Sequence, residues 1–169
     1  MYADHLTKQS YRALMFDELE DYEEAIQDLS RFIDSHPTNS AAFNNRGVAR
    51  WEIGQIENAL GDFENAVLVN PNDPIPHVNK GDVLKRLNEY QKAIESYTQA
   101  IEIEGNISFY ICRAYTYVEM DLPQKAIEDF DVALGLDPKH KQTYIARGKA
   151  YEAIGDKTRA TQDFERARK

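Results

Sequence analysis

The sequence predicts an all-α chain, a solenoid of stacked helical hairpins, and three observations predict it. The chain repeats itself: Ala25, Ala59, Ala93, Ala126 and Ala160 fall in one column at spacings of 34, 34, 33 and 34 residues, and a sustained period of this size marks a repeat array. Each period holds two segments whose apolar residues recur at helical spacing. Turn-forming residues separate these segments, and no alternating strand pattern or low-complexity linker competes with them.

In the frame set by Gly47, Gly81 and Gly148, the repeats run over 6–39, 40–73, 74–106, 107–140 and 141–169, as one domain of residues 1–169. In the first, Ala25, Ile26, Leu29, Phe32 and Ile33 fall on one face of the second helix. In the second, Ile53-Gly54-Gln55 turns between the two helices and Asn70-Pro71-Asn72-Asp73 follows them. The third opens with Asp73 as N-cap ahead of Pro74 at the first helical position. Gly105 ends this repeat where Pro37, Pro71 and Pro138 end the first, second and fourth. In the fourth, Pro123 follows Asp121-Leu122 and opens a helix rather than breaking one. In the fifth, the column of Ile26, Leu60, Ile94 and Ile127 becomes Thr161, and that of Ile33, Val67, Ile101 and Leu134 becomes Arg168. These columns should face a following repeat, so residues 157–169 are expected to form a self-capping last helix that ends the stack.

Four residues after each alanine of the first column stand Leu29, Phe63, Tyr97, Phe130 and Phe164, and three later Phe32, Ala66, Ala100, Ala133 and Ala167. With Phe43, Gly47 and Pro71 in the second repeat, and Tyr144, Gly148 and Tyr151 in the fifth, the pattern resembles the tetratricopeptide repeat over all but the first five residues. The resemblance implies a right-handed superhelical solenoid. The first helix of each hairpin would line a concave groove, with positions 2, 5, 6, 9, 12 and 13 of each repeat pointing into it. It also implies a protein-binding scaffold or adaptor rather than an enzyme.

Composition narrows the partners. Among 169 residues, 29 Asp and Glu outweigh 20 Lys and Arg, giving a net charge of −9. Binding that depends on phosphate neutralisation is disfavoured, so neither nucleic acid nor a membrane surface is expected as a partner. Cys112 is the single cysteine, which excludes an intramolecular disulfide and a cysteine-built zinc site. The start, Met1-Tyr2-Ala3-Asp4, lacks the basic and apolar regions of a signal peptide, and no run approaches the roughly 20 apolar residues of a spanning helix. A cytoplasmic location is expected. Counted by repeat, with residues 1–5 added to the first, the charge is −6, −3, −1, −3 and +4. That polarity would suit a homo-oligomer joined through oppositely charged ends, or only solubilise the chain.

Catalytic motifs are absent: there is no phosphate-cradling glycine loop, no HExxH and no Gly-x-Ser-x-Gly elbow. His5, His36, His77 and His140 are widely separated, and no cofactor or metal site is expected. Arg12, Arg46, Lys80, Arg113 and Arg147 form a basic column at position 7, and Asp28, Asp62, Asp129 and Asp163 recur at position 23 on the partner helix, with Ser96 in the third repeat. Structural ion pairing therefore accounts for the column better than a phosphate-binding ladder.

The residues left unexplained by packing are the candidate peptide-binding set: Asn44, Asn45, Trp51, Val78, Asn79, Asp82, Arg86, Ile111, Tyr115 and Ile145. An asparagine amide carries two donors and an acceptor, so Asn45 and Asn79, one repeat apart, can grip successive peptide groups. Cys112 and Ala146 interrupt that series, and the competing reading, somewhat favoured, is that asparagine is simply tolerated at this helical surface position. Past the interruption, Ile75, Val78, Ile111, Val118 and Ile145 make the floor more apolar, with Tyr115 and Trp51 as anchors. The carboxylate clamp by which some members of the family hold chaperone C-terminal tails is missing. One register offers Ser10, Leu14, Asn45, Ile75 and Asn79, and the next Asn44, Val48, Asn79, Ser108 and Cys112, without the required bases. Three functions follow: an adaptor holding a partner peptide or helix, a self-assembling module, or the non-catalytic arm of a larger enzyme.

Overall fold

The computed structural model describes residues 22–168. The leading helix expected of the first repeat, with Arg12, lies outside them. Among the described residues there are nine α-helices and no strand: α1 (Tyr22–Ser35), α2 (Ser40–Glu52), α3 (Ile56–Val69), α4 (Pro74–Arg86), α5 (Tyr90–Ile103), α6 (Ile107–Glu119), α7 (Pro123–Leu136), α8 (Lys141–Ala153) and α9 (Lys157–Arg168). Helices α2, α4, α6 and α8 open repeats two to five. The chain divides into two compact units, Met1–Val83 and Leu84–Lys169, with the division inside α4.

Local chemistry sets the helix starts. The side chains of Asn39, Asp73 and Asn106 accept from the backbone N–H groups of Ala42, Ile75 and Ser108 at 2.9, 3.0 and 3.0 Å, each satisfying a donor that a helix start leaves unpaired. Pro74 opens α4 and Pro123 opens α7, where a missing N–H costs nothing. The turn inside each hairpin of repeats two to five holds a left-handed residue. Gly54, Asn88, Asp121 and Gly155 supply it, with φ of 78°, 61°, 56° and 79°. The next residue then donates back to the ending helix: Gln55 to Arg50 at 2.8 Å, Glu89 to Leu84 at 2.8 Å, Leu122 to Tyr117 at 2.9 Å and Asp156 to Tyr151 at 2.9 Å. This closes free carbonyls in the manner of a Schellman cap.

In the first unit α1 packs on α2 and α2 on α3. Leu29, Ile33 and Ala42 are buried together with Phe32 and Phe43 against them. Gly47 shows why a small residue stands at position 8: a Cβ there would lie 2.6 Å from a ring carbon of buried Phe63. In the second unit α5 to α9 pack in succession. Ala114, Ala126, Phe130 and Ala146 form one cluster, and Ile127, Ala150, Tyr151 and Ala160 another. Thr161 and Arg168 on α9 are exposed, whereas Ile94, Ile127 and Leu134, their column-mates on α5 and α7, are buried.

Candidate peptide-binding faces

In the first unit the structure joins three of the candidate asparagines. Asn79 on α4 donates from Nδ2 to Oδ1 of Asn44 on α2 at 2.8 Å, and Asn44 donates to Asn45 Oδ1 at 3.5 Å. The two amides expected to act one repeat apart are thus bridged by a third. Among the described residues the Asn79 Oδ1, its second N–H and the Asn45 amide donors make no other side-chain hydrogen bond. All three are half-buried, as are Trp51 on α2 and Val78 and Asp82 on α4. The bridging role of Asn44 went unread because its signal, adjacent amides at positions 5 and 6, occurs only once.

In the second unit Ile111 on α6 and Ile145 on α8 are half-buried, and Arg86 at the end of α4 is exposed. Tyr115 is 43% exposed and its ring meets Phe130 edge-on, with centroids 5.6 Å apart. It borders a cavity of about 130 Å³ walled by Val118 and Pro123 on one side and Ala146, Ala150 and Ala153 on the other, with Asp121 and Lys149 also in its lining. Of the candidate set, Tyr115 alone lines this cavity. Cys112, half-buried, and Ala146, buried, occupy the positions where the asparagine series stops.

Among the described residues the three arginines of the basic column are neutralised within their hairpins. Arg46 pairs with Asp62, Arg113 with Asp129 and Arg147 with Asp163, each at 2.7 Å, and the aspartates are buried. Hydrogen bonds to Asp129 and Asp163 are the largest cause holding the Arg113 and Arg147 guanidiniums above their ordinary pKa, against the opposing effect of burial. Each base also reaches back to position 25 of the preceding repeat. Arg46 donates to Ser30 at 3.0 Å and Arg113 to Thr98 at 2.9 Å. Lys80 lies 3.6 Å from Glu64, and Arg147 lies 2.6 Å from Asp131. The Arg12–Asp28 pair expected in the first repeat involves a residue outside those described.

The three described histidines serve local structure. His36 stacks on Phe32, His77 meets the Pro71 carbonyl at 3.0 Å and His140 meets Thr143 at 2.7 Å. Among the described residues no group of three His, Cys, Asp or Glu is placed to hold a metal ion, and no helix is long and apolar enough to cross a membrane.

Helical hairpins with close-packed small residues at their crossings and polar first-helix faces define a class of repeat scaffold. Models of the tetratricopeptide repeat match residues 12–74, 76–107, 107–140 and 142–167, and the chain belongs to that family of protein-interaction scaffolds. A DnaJ homolog subfamily C member 7 homolog of Schizosaccharomyces pombe is 26% identical over 149 residues, covering 78% of this chain and 31% of that protein. The chain spans a third or less of the length of the curated relatives it matches. Among solved structures, MamA from Desulfovibrio magneticus RS-1 aligns with a TM-score of 0.87 at 19% identity, over 98% of this chain and 94% of that one. YrrB, described as a TPR protein with an unusual peptide-binding site, aligns with a TM-score of 0.78 at 16% identity, over 92% of this chain and 80% of its own. At these identities the structures show the shared all-α fold.

Proposed function

We propose that the chain is a non-enzymatic adaptor that binds a protein partner along the first-helix faces. The observation that carries this is the amide network of Asn79, Asn44 and Asn45, which leaves donors and an acceptor on two neighbouring first helices at the reach of a peptide backbone. The half-buried Val78 and Trp51 on the same helices supply apolar contact in the first unit, and Ile111, Tyr115 and Ile145 do so in the second. The unusual peptide-binding site described for YrrB supports the reading by analogy. A chaperone C-terminal tail is disfavoured as partner because the clamp bases are missing at Asn44, Ser108 and Cys112. The five repeats act as one domain with a self-capping last helix, in the cytoplasm, and without a nucleic-acid or membrane partner.

Affinity capture from the native cell, followed by mass spectrometry, identifies the partner. Its affinity should fall about tenfold or more in a chain carrying Asn45→Ala and Asn79→Ala, and an unchanged affinity would sink this site. Two further readings have an observation each. The run of repeat charges from −6 to +4 favours end-to-end association with a second copy. Light scattering should then show size rising with concentration and falling with salt, and a monomer at every salt concentration would overturn it. The short span relative to its relatives favours the non-catalytic arm of a larger enzyme, which the length of the parent gene decides.

A further inference from the structure

We propose that the cavity beside Tyr115 is a side-chain subsite that takes one apolar residue of a partner peptide, flanked on one side by an acid and on the other by a base. The inference rests on the adaptor reading and adds the chemistry of the occupant. The volume of about 130 Å³ is close to the roughly 150 Å³ that holds a benzene-sized group. It therefore suits one leucine- or phenylalanine-sized side chain, not a whole helix.

The hollow has a cause in the sequence. Positions 6, 10 and 13 of the fifth repeat are Ala146, Ala150 and Ala153, three small residues on one face of α8. The same positions read Asn45, Ala49, Glu52 in the second repeat, Asn79, Val83, Arg86 in the third and Cys112, Thr116, Glu119 in the fourth. Only the fifth repeat leaves room at all three. Across the hollow, Tyr115 and Val118 on α6 are 43% and 44% exposed, so an apolar guest removes large apolar side chains from water.

Charge complementarity selects the flanks. Lys149 and Asp121 both line the cavity, both are exposed, and neither forms an ion pair among the described residues. A guest that seats an apolar side chain between them offers a carboxylate to Lys149 and an ammonium or guanidinium to Asp121.

The test is selection of a random linear-peptide library on the full chain, followed by affinity measurement against variants whose circular dichroism matches the parent. Selected peptides should share an apolar residue between an acid and a base. Ala153→Leu, which fills the cavity from an exposed position, should weaken them about tenfold or more. Lys149→Glu should exchange the preferred acid for a base. Binders indifferent to both substitutions but lost with Asn45→Ala and Asn79→Ala would overturn the subsite and leave the adaptor reading standing. Recovery of no binder at all would overturn both.

Discussion

Gly47 and Gly148 hold the same place in their repeats, yet their replacement should have different costs. A Cβ would lie 2.6 Å from a ring carbon of Phe63 in one case and of Phe164 in the other. Phe63 is buried, whereas Phe164 is half-buried on α9 and can give way. Alanine gains about 1 kcal/mol over glycine in a helix, while overpacking a core costs about 1–3 kcal/mol. Gly47→Ala should therefore lose up to about 2 kcal/mol in urea denaturation, and Gly148→Ala should stay within about 0.5 kcal/mol of the parent. Equal losses would show that Phe164 is as fixed as Phe63. Arg50 is a second informative residue. It donates to buried Asp62 at 2.7 Å, but its own Nε is buried with no partner among the described residues, and Asp62 already holds Arg46. The equivalent positions carry Leu84, Tyr117 and Tyr151. Since an orphaned buried donor costs about 1–3 kcal/mol, Arg50→Leu should leave stability unchanged or raise the melting temperature. A clear drop would mean that Asp62 needs both guanidiniums.

The hairpin turns carry a strain that differs from one to the next. Gly54 and Gly155 adopt the left-handed conformation without penalty, but Asn88 and Asp121 adopt it with a Cβ. Asn88→Gly should stabilise the chain by up to about 1 kcal/mol, read as a higher urea midpoint at unchanged slope, and a lower midpoint would contradict it. Turn placement was legible at Gly54 and Pro123 because glycine and proline announce their backbone angles. It was faint at Asn88, whose conformation is shared with many other settings. The start of α9 has its own pH signature. The backbone N–H of Arg159, then its guanidinium, hold the Asp156 carboxylate below its ordinary 3.8. A carboxylate lowered in the folded state contributes stability above its unfolded pKa and loses it as pH falls through the folded value. Amide exchange in the first turn of α9 should thus accelerate as pH falls below about 4, after correction for intrinsic rates. Asp156→Ala should remove that step, and its persistence would assign it elsewhere.

At the scale of the whole chain, the net charge of −9 and sequence pI near 4.9 predict no shift of duplex DNA in a gel at about 0.15 M salt. The +4 of the last repeat is the part that has to be tested. A shift abolished by Lys157→Glu with Arg166→Glu would overturn the expectation. The fold was legible because packing repeats its demands: Ala59, Ala93 and Ala126 are all buried where second helices cross first ones, so the same residue types return. The site was less legible because binding faces differ between repeats. The Asn79–Asn44 bond and the cavity over Ala146, Ala150 and Ala153 each occur once, and a periodic reading averages such features away. Position 25 was hidden differently: Ser30, Glu64, Thr98 and Asp131 share no side-chain class, only an oxygen that meets the next repeat's base. That link limits modularity. A hairpin moved to another place in the array brings its position-7 base but leaves behind the oxygen that held it, so Arg147, adapted to a carboxylate, would meet a hydroxyl if the fifth repeat were grafted after the third. The exchangeable module is therefore a hairpin together with the second helix of its predecessor, and a successful recombination must cut inside a repeat, after its first helix.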